Sequence, residues 1–387
     1  MTDVPVNPKV LAWARSERGL TLAEAAEKLG VPIDELKELE DGVRHPSVGE
    51  LRNIAAKYEI GFSSLLMPEP LLETTRLRCQ DFRTHRGEGA DWNAELLAAL
   101  DDINVVTDAM ADLKQAVPHL FASNLPTISA SSNVADAAER ERERMGFRIS
   151  NQYLWDKYVF RRFRSLIEAQ GVFVYVLNVG STEDWRGLAI MDERQIPFII
   201  LNGNEAETEA RIFSLIHEYC HILLRVNAIS DQRQRGTIEG FCNSFAAYFL
   251  MPRKEFRAVA REVSGANFKE DWTDTELRAI GARFKVSMSA VAIHLSRLDL
   301  APDDLFRKKV AESRLRTLPE RSGGIVGYYD QIANRLGSRH VSVVFRALEG
   351  GYIDQLDAYE MLDVKPENFQ RLQSEIAERQ RAYGWGQ

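Results

Sequence analysis

His217, Glu218 and His221 stand in the pattern His-Glu-Tyr-Cys-His. On a helix, residues four apart share one face a turn above each other, so both imidazoles can hold a single Zn²⁺. The glutamate beside the first histidine is then placed to take a proton from water at the ion. Ala210, Phe213, Leu215, Ile216, Ile222, Leu223 and Leu224 wrap the pattern in apolar side chains almost all round, which predicts a buried helix. A dry wall of that kind strengthens the field of an ion. Eighteen positions after His221, Glu239 opens a second helix-like segment that ends at Pro252. Phe241, Phe245, Tyr248 and Phe249 are spaced for one face of it. A carboxylate from a second helix is the usual third ligand beside two histidines, with the fourth position left to water. Chance supplies such a pattern in about one chain in a hundred at this histidine content, and it does not supply the context.

Taken together, these residues resemble the ImmA/IrrE family of zinc metallopeptidases. The resemblance is carried by His217-Glu218-x-x-His221 and by Glu239-x-x-Cys242-Asn243-x-Phe245-Ala-Ala-x-x-Leu250-Met251-Pro252. Pro197 to Asn202 is similar to the strand that precedes the site helix in that family, and the likeness runs from about residue 150 to about residue 300. It implies a zincin-like domain with His217, His221 and Glu239 as ligands, Glu218 as base and Asn243 close behind the ligands. Members of the family act on transcriptional repressors or antitoxin-like partners, so a regulatory peptidase with a protein substrate is expected. His294 lies on a helix similar to one at this place in the family. It is a candidate for oxyanion stabilisation, set against the more ordinary role of a packed helix histidine.

Residues 8 to 68 read as a set of five short helices resembling the repressor-type helix-turn-helix of the Xre family, with Thr21, Ala25, Gly30, Glu40, Gly42 and Pro46 in its pattern. Thr21 with Glu24 forms a capping-box signature, and Gly30 and Gly42 sit where helices must stop. The would-be recognition helix carries Asp34, Glu35, Glu38, Glu40 and Asp41 against Lys37 alone, and over residues 1–70 twelve acids face eight bases. Carboxylates near phosphates are repelled and can read only cytosine amino groups. Arg15, Arg18, Lys37, Arg44 and Arg52 are the candidates for contact with DNA. A helix-turn-helix kept for protein docking is the competing expectation.

The expected architecture is α+β and mostly helical. A helix-turn-helix occupies 1–70, a linker and long helix 71–120, a zincin-like metallopeptidase domain with a small antiparallel sheet 121–312, and a helical region 313–387. Strands are expected at Val172–Asn178, Gly187–Met191 and Pro197–Asn202, with Ile196 to Leu201 the candidate edge strand for an extended substrate. The run Glu139 to Arg144 predicts a solvated helix face, and the apolar spacing over Ala94 to Val117 a long helix that links modules or pairs with a second copy. Cys79, Cys220 and Cys242 are too few for a disulfide framework, and no long apolar run or signal peptide stands out, so a cytoplasmic protein with reduced thiols and no membrane partner is expected. The net charge of −8 disfavours general nucleic-acid binding. The expectation is a zinc-dependent regulatory metallopeptidase. The alternative is a DNA-binding regulator, or toxin-antitoxin component, whose metal site is structural or sensory.

Overall fold

A computed structural model describes residues 4–18, 20–58, 65–67, 94–155, 158–182, 185–191, 195–225, 232–313, 328–374 and 378. They fall into two compact units: one runs to Met110 and includes residues 179–182, and the other comprises 111–178 and 185 onward. Cys79, the Arg76–Thr84 element and His85 lie outside the described residues.

In the first unit, α1 (Pro8–Glu17) starts on the Asn7 side chain, and α2 (Leu22–Leu29) on the reciprocal Thr21–Glu24 bonds. Gly30 ends α2 at φ 72°, a conformation that costs a residue without Cβ nothing. α3 (Ile33–Glu40) and α4 (Val48–Tyr58) complete the bundle around Leu11, Ala25, Leu36, Leu51 and Ile54. Of the expected fifth helix only Leu65–Met67 is described. Arg15 closes a fork on Glu40 (Nε–Oε1 2.8 Å, Nη2–Oε2 2.8 Å) and donates to the Leu20 carbonyl. Arg18 is buried and donates to the Tyr58 carbonyl at 2.6 Å. Both guanidinium groups therefore hold the bundle together and do not face phosphates. Arg15→Ala should destabilise this module by about 2–3 kcal/mol, because it strands the Glu40 carboxylate. Faster hydrogen exchange over α1 and α3 in the full chain would show it.

The long helix α5 (Ala94–Ala116) leads to a short 3-10 turn at Pro118–Phe121, then to α6 (Val134–Arg144), α7 (Ile149–Leu154) and α8 (Val159–Glu168). Strands β1 (Phe173–Leu177), β2 (Gly187–Met191) and β3 (Pro197–Asn202) form one sheet in the order β1-β3-β2. β1 pairs parallel with β3, and β2 pairs antiparallel with it. The sheet is thus mixed rather than antiparallel. β3 is its centre, so the expected edge strand Ile196–Leu201 is hydrogen-bonded on both sides. β2 is paired on one side only among the described residues.

The alternation of a strand decides what each face meets. Val174, Val176, Ile199 and Leu201 point into the main core, shared with Ile212, Leu215, Ile216 and Leu223 of α9 (Thr208–Leu224). On the opposite face Phe198 packs against both Phe173 and Tyr175. They are covered by a C-terminal helical run, which follows α10 (Gln232–Leu250), α11 (Arg253–Ser264), α12 (Asp274–Phe284), α13 (Met288–Arg297) and α14 (Leu305–Ser313). That run, α15 (Tyr328–Glu349), is broken at Gly337, and α16 (Gln355–Leu362) follows it. Arg164 donates to the carbonyl of Asn334 ahead of the break and to Glu168, which accepts the Ser338 amide after it. His340 bridges the Tyr175 hydroxyl (2.9 Å) and the Met361 carbonyl (3.0 Å). The C-terminal helices are therefore the second cover of the sheet, which explains why every residue of β3 is buried.

The charged helix α6 is a solvated face only at Arg140 and Glu143; its other charges turn to neighbours. Glu139 holds Arg253, Glu141 takes Tyr219, and buried Arg142 donates to Gln152 and to the Phe249 carbonyl. Asp136 shares Arg253 with Glu139.

Candidate metal centre

About 100° of turn separates successive residues of a helix, so the five residues from His217 to His221 face four directions. The two histidines lie within about 40° of each other, with Glu218 to one side, Cys220 to the other and Tyr219 behind. α9 is buried all round over this stretch, and His217 has no exposed surface. The Nε2 atoms of His217 and His221 stand 3.1 Å apart. Glu239, on α10, reaches them with one oxygen each: Oε2 to His217 Nε2 and Oε1 to His221 Nε2, both at 3.2 Å. Donor atoms about 2.0 Å from a tetrahedral Zn²⁺ stand about 3.3 Å from one another, so this spacing fits that ion. Two nitrogens and a carboxylate are also a donor set that zinc accepts. Among the described residues this is the one group of three that could hold a metal.

The electrostatics ask for positive charge at the same point. Burial pushes the Glu239 carboxyl up, but hydrogen bonds from His217 and His221 outweigh it and hold the group far below the usual carboxylate range. Burial pulls His221 down, yet Cys242 and Glu239 raise it well above an ordinary histidine. A carboxylate beside two imidazoles in a buried wall favours positive charge there, whether on the imidazoles or on a cation held between them.

The residues between the histidines explain their neighbours. A Cβ placed on Gly187, the first residue of β2, would come within 2.8 Å of Glu218 Cγ and Oε1. Glycine there makes room for the Glu218 side chain, a close approach of the kind that glycines in strands often mark. Gly187→Ala should displace Glu218 and lower any hydrolysis by about 10-fold or more while leaving metal content unchanged, a split seen by assaying both on one preparation. Tyr219 points back to α6. Cys220 is buried against α10, where Cys242 also lies; both thiols are free, and burial keeps Cys242 protonated.

Asn243 sits half-buried on α10, one turn beyond Glu239. His294 is not brought to the trio. Its Nε2 meets the Met251 carbonyl at 2.9 Å, and its ring packs edge-on against Phe256 and Tyr248. Burial holds it down to about 3, so it is a neutral, packed residue near the end of α10. Among the DNA candidates, Arg15 and Arg18 are turned inward, and Arg44 pairs with Glu50 at 2.8 Å, with Glu35 and Glu38 further off. Lys37 and Arg52 are exposed. The roles of Gly187 and Glu141 were missed from the sequence; only the glycine opening a strand gave a signal.

Residues 167–296 match the family model of the IrrE N-terminal-like domain, a metallopeptidase family, and residues 9–61 match a helix-turn-helix domain. The chain carries an IrrE N-terminal-like domain joined to a helix-turn-helix. The IrrE-like stretch runs from the end of α8 to α13 and contains every residue of the trio. No curated protein matches the chain significantly. A solved structure described as a Mycobacterium tuberculosis transcriptional regulator is similar at 18% identity and a TM-score of 0.31, over 50% of this chain and 51% of that one. The chain thus spans about half the length of that structure. Among the described residues no helix is long and apolar enough to cross a membrane.

Proposed function

We propose that the chain is a zinc-dependent regulatory endopeptidase that cleaves a protein partner of the repressor or antitoxin type. The observation that carries this is the convergence of Glu239, from a second helix, on both histidine Nε2 atoms at 3.2 Å. His217, His221 and Glu239 would hold the ion. Zinc in such a site supplies a Lewis acid that polarises a carbonyl and brings water towards ionisation at neutral pH. Glu218 is buried beside the trio with Gly187 at its back, placed to accept a proton and return it to the leaving amine. Asn243 would steady the ligands from behind. The substrate strand would pair with the edge of β2 that is unpaired among the described residues, and the first residue of that strand leaves no room for a Cβ beside Glu218. Reduced Cys220 and Cys242 support a cytoplasmic setting. The test is to incubate the zinc-loaded chain with each protein encoded by the genes flanking its own. Cleavage of one of them at one bond, blocked by chelator, supports the reading, and all of them left intact counts against it.

The helix-turn-helix keeps a second reading alive, that of a DNA-binding regulator. With Arg15 and Arg18 turned inward and Arg44 paired, Lys37 and Arg52 are the exposed cations left among the five candidates. Two phosphate contacts give a log–log salt slope no steeper than about −2. Fluorescence anisotropy on duplex DNA from upstream of the reading frame should show that shallow slope. A slope of about −5 or steeper would restore the regulator reading.

A further inference from the structure

The back of the site helix is held more firmly than packing requires. The Tyr219 hydroxyl donates to Glu141 Oε1 at 2.5 Å. Glu141 is 3% exposed and is itself gripped by Arg144, through Nε to Oε2 at 2.8 Å and Nη2 to Oε1 at 2.7 Å. Arg144 Nη2 also reaches Gln170 Oε1 at 2.8 Å and the Tyr219 oxygen at 3.4 Å. On the helical wheel Tyr219 lies about 180° from the mean direction of His217 and His221. A latch at that position resists rotation of α9 about its own axis. An imidazole nitrogen about 6 Å from the axis moves by about 1 Å for each 10° of such rotation. Ligand groups tolerate displacements of about 0.5 Å.

We propose that Tyr219, fixed by Glu141 and Arg144, is a positioning residue that sets the rotation of α9 and so the metal affinity of His217 and His221. The proposal rests on the zinc reading above. It gives Glu141 and Arg144 of α6 a task in the site.

The test uses the full chain, zinc alone as ligand and cobalt as a spectroscopic probe. Tyr219→Phe removes one oxygen and leaves Glu141 on Arg144, so the variant should fold. At 25 °C its zinc affinity, measured against a chromogenic chelator, should fall about 10-fold, and the visible absorption of bound cobalt should shift or weaken. Glu141→Gln keeps an acceptor for the phenol and should recover affinity to within about threefold of the parent chain. Unchanged zinc affinity and an unchanged cobalt spectrum in Tyr219→Phe, with only a lower melting temperature in chelator, would reduce the latch to ordinary packing and overturn the proposal. A parent chain that takes up no zinc at all would remove the reading beneath it, a failure distinct from the first.

Discussion

A Glu218→Gln chain should purify with about one zinc per molecule and cut its partner at least 100-fold more slowly than the parent. Glutamine has the same shape, so it should fit against Gly187 as glutamate does. It carries no charge and cannot take a proton. The trio of donors, which does not include Glu218, is left as it was. General acid–base groups contribute about 10² to 10⁴ in rate, and that range is the expected loss. Metal analysis and a timed digest of the same preparation read both halves. Loss of zinc together with activity would mean that Glu218 acts on the ion's retention instead. Undiminished cleavage would assign the base to another residue. The inactive, zinc-loaded chain should also hold its substrate long enough to capture and identify it.

Glu239→Ala should have the opposite signature, losing the metal first. Among the described residues three protein donors converge here, and Glu239 is the one that spans the other two. Its removal leaves a histidine pair on one helix. Loss of a group merely behind a ligand costs about 10–100-fold in affinity, so loss of a ligand should exceed about 100-fold. Asn243→Ala, by contrast, should stay within that lower range. Competition with a chelator of known affinity would rank the three chains. Equal zinc affinity in the parent and in Glu239→Ala would show that the carboxylate closes an ion pair and no more.

The candidate trio was legible because its geometry follows from short spacing. Two histidines four apart share a face whatever the fold, and Phe241, Phe245 and Phe249 announce the helix that brings Glu239. The capping residues Thr21 and Glu24 act within one turn, and they start α2 as expected. What the sequence hid depends on partners far along the chain. Glu141 meets Tyr219 from 78 positions away, and Arg142 meets the Phe249 carbonyl from 107. A run of alternating charge therefore reads as a wet surface until its neighbours are known. Arg15 looks the same whether it faces a phosphate or Glu40, 25 positions on. The strands were placed to within a residue or two, but pairing is non-local. Nothing in Phe173–Leu177 says that it runs parallel to β3 and makes β3 the centre. The C-terminal helices gave no hint of their place, because the apolar face they cover belongs to β1 and β3.

The most direct measurement is an anomalous difference map, collected at the zinc absorption edge on crystals of the parent chain grown with zinc. The expected result is a single strong peak about 2 Å from His217 Nε2, His221 Nε2 and a Glu239 oxygen. A peak at Cys220 and Cys242 instead, or none within reach of the histidine pair, would contradict the account.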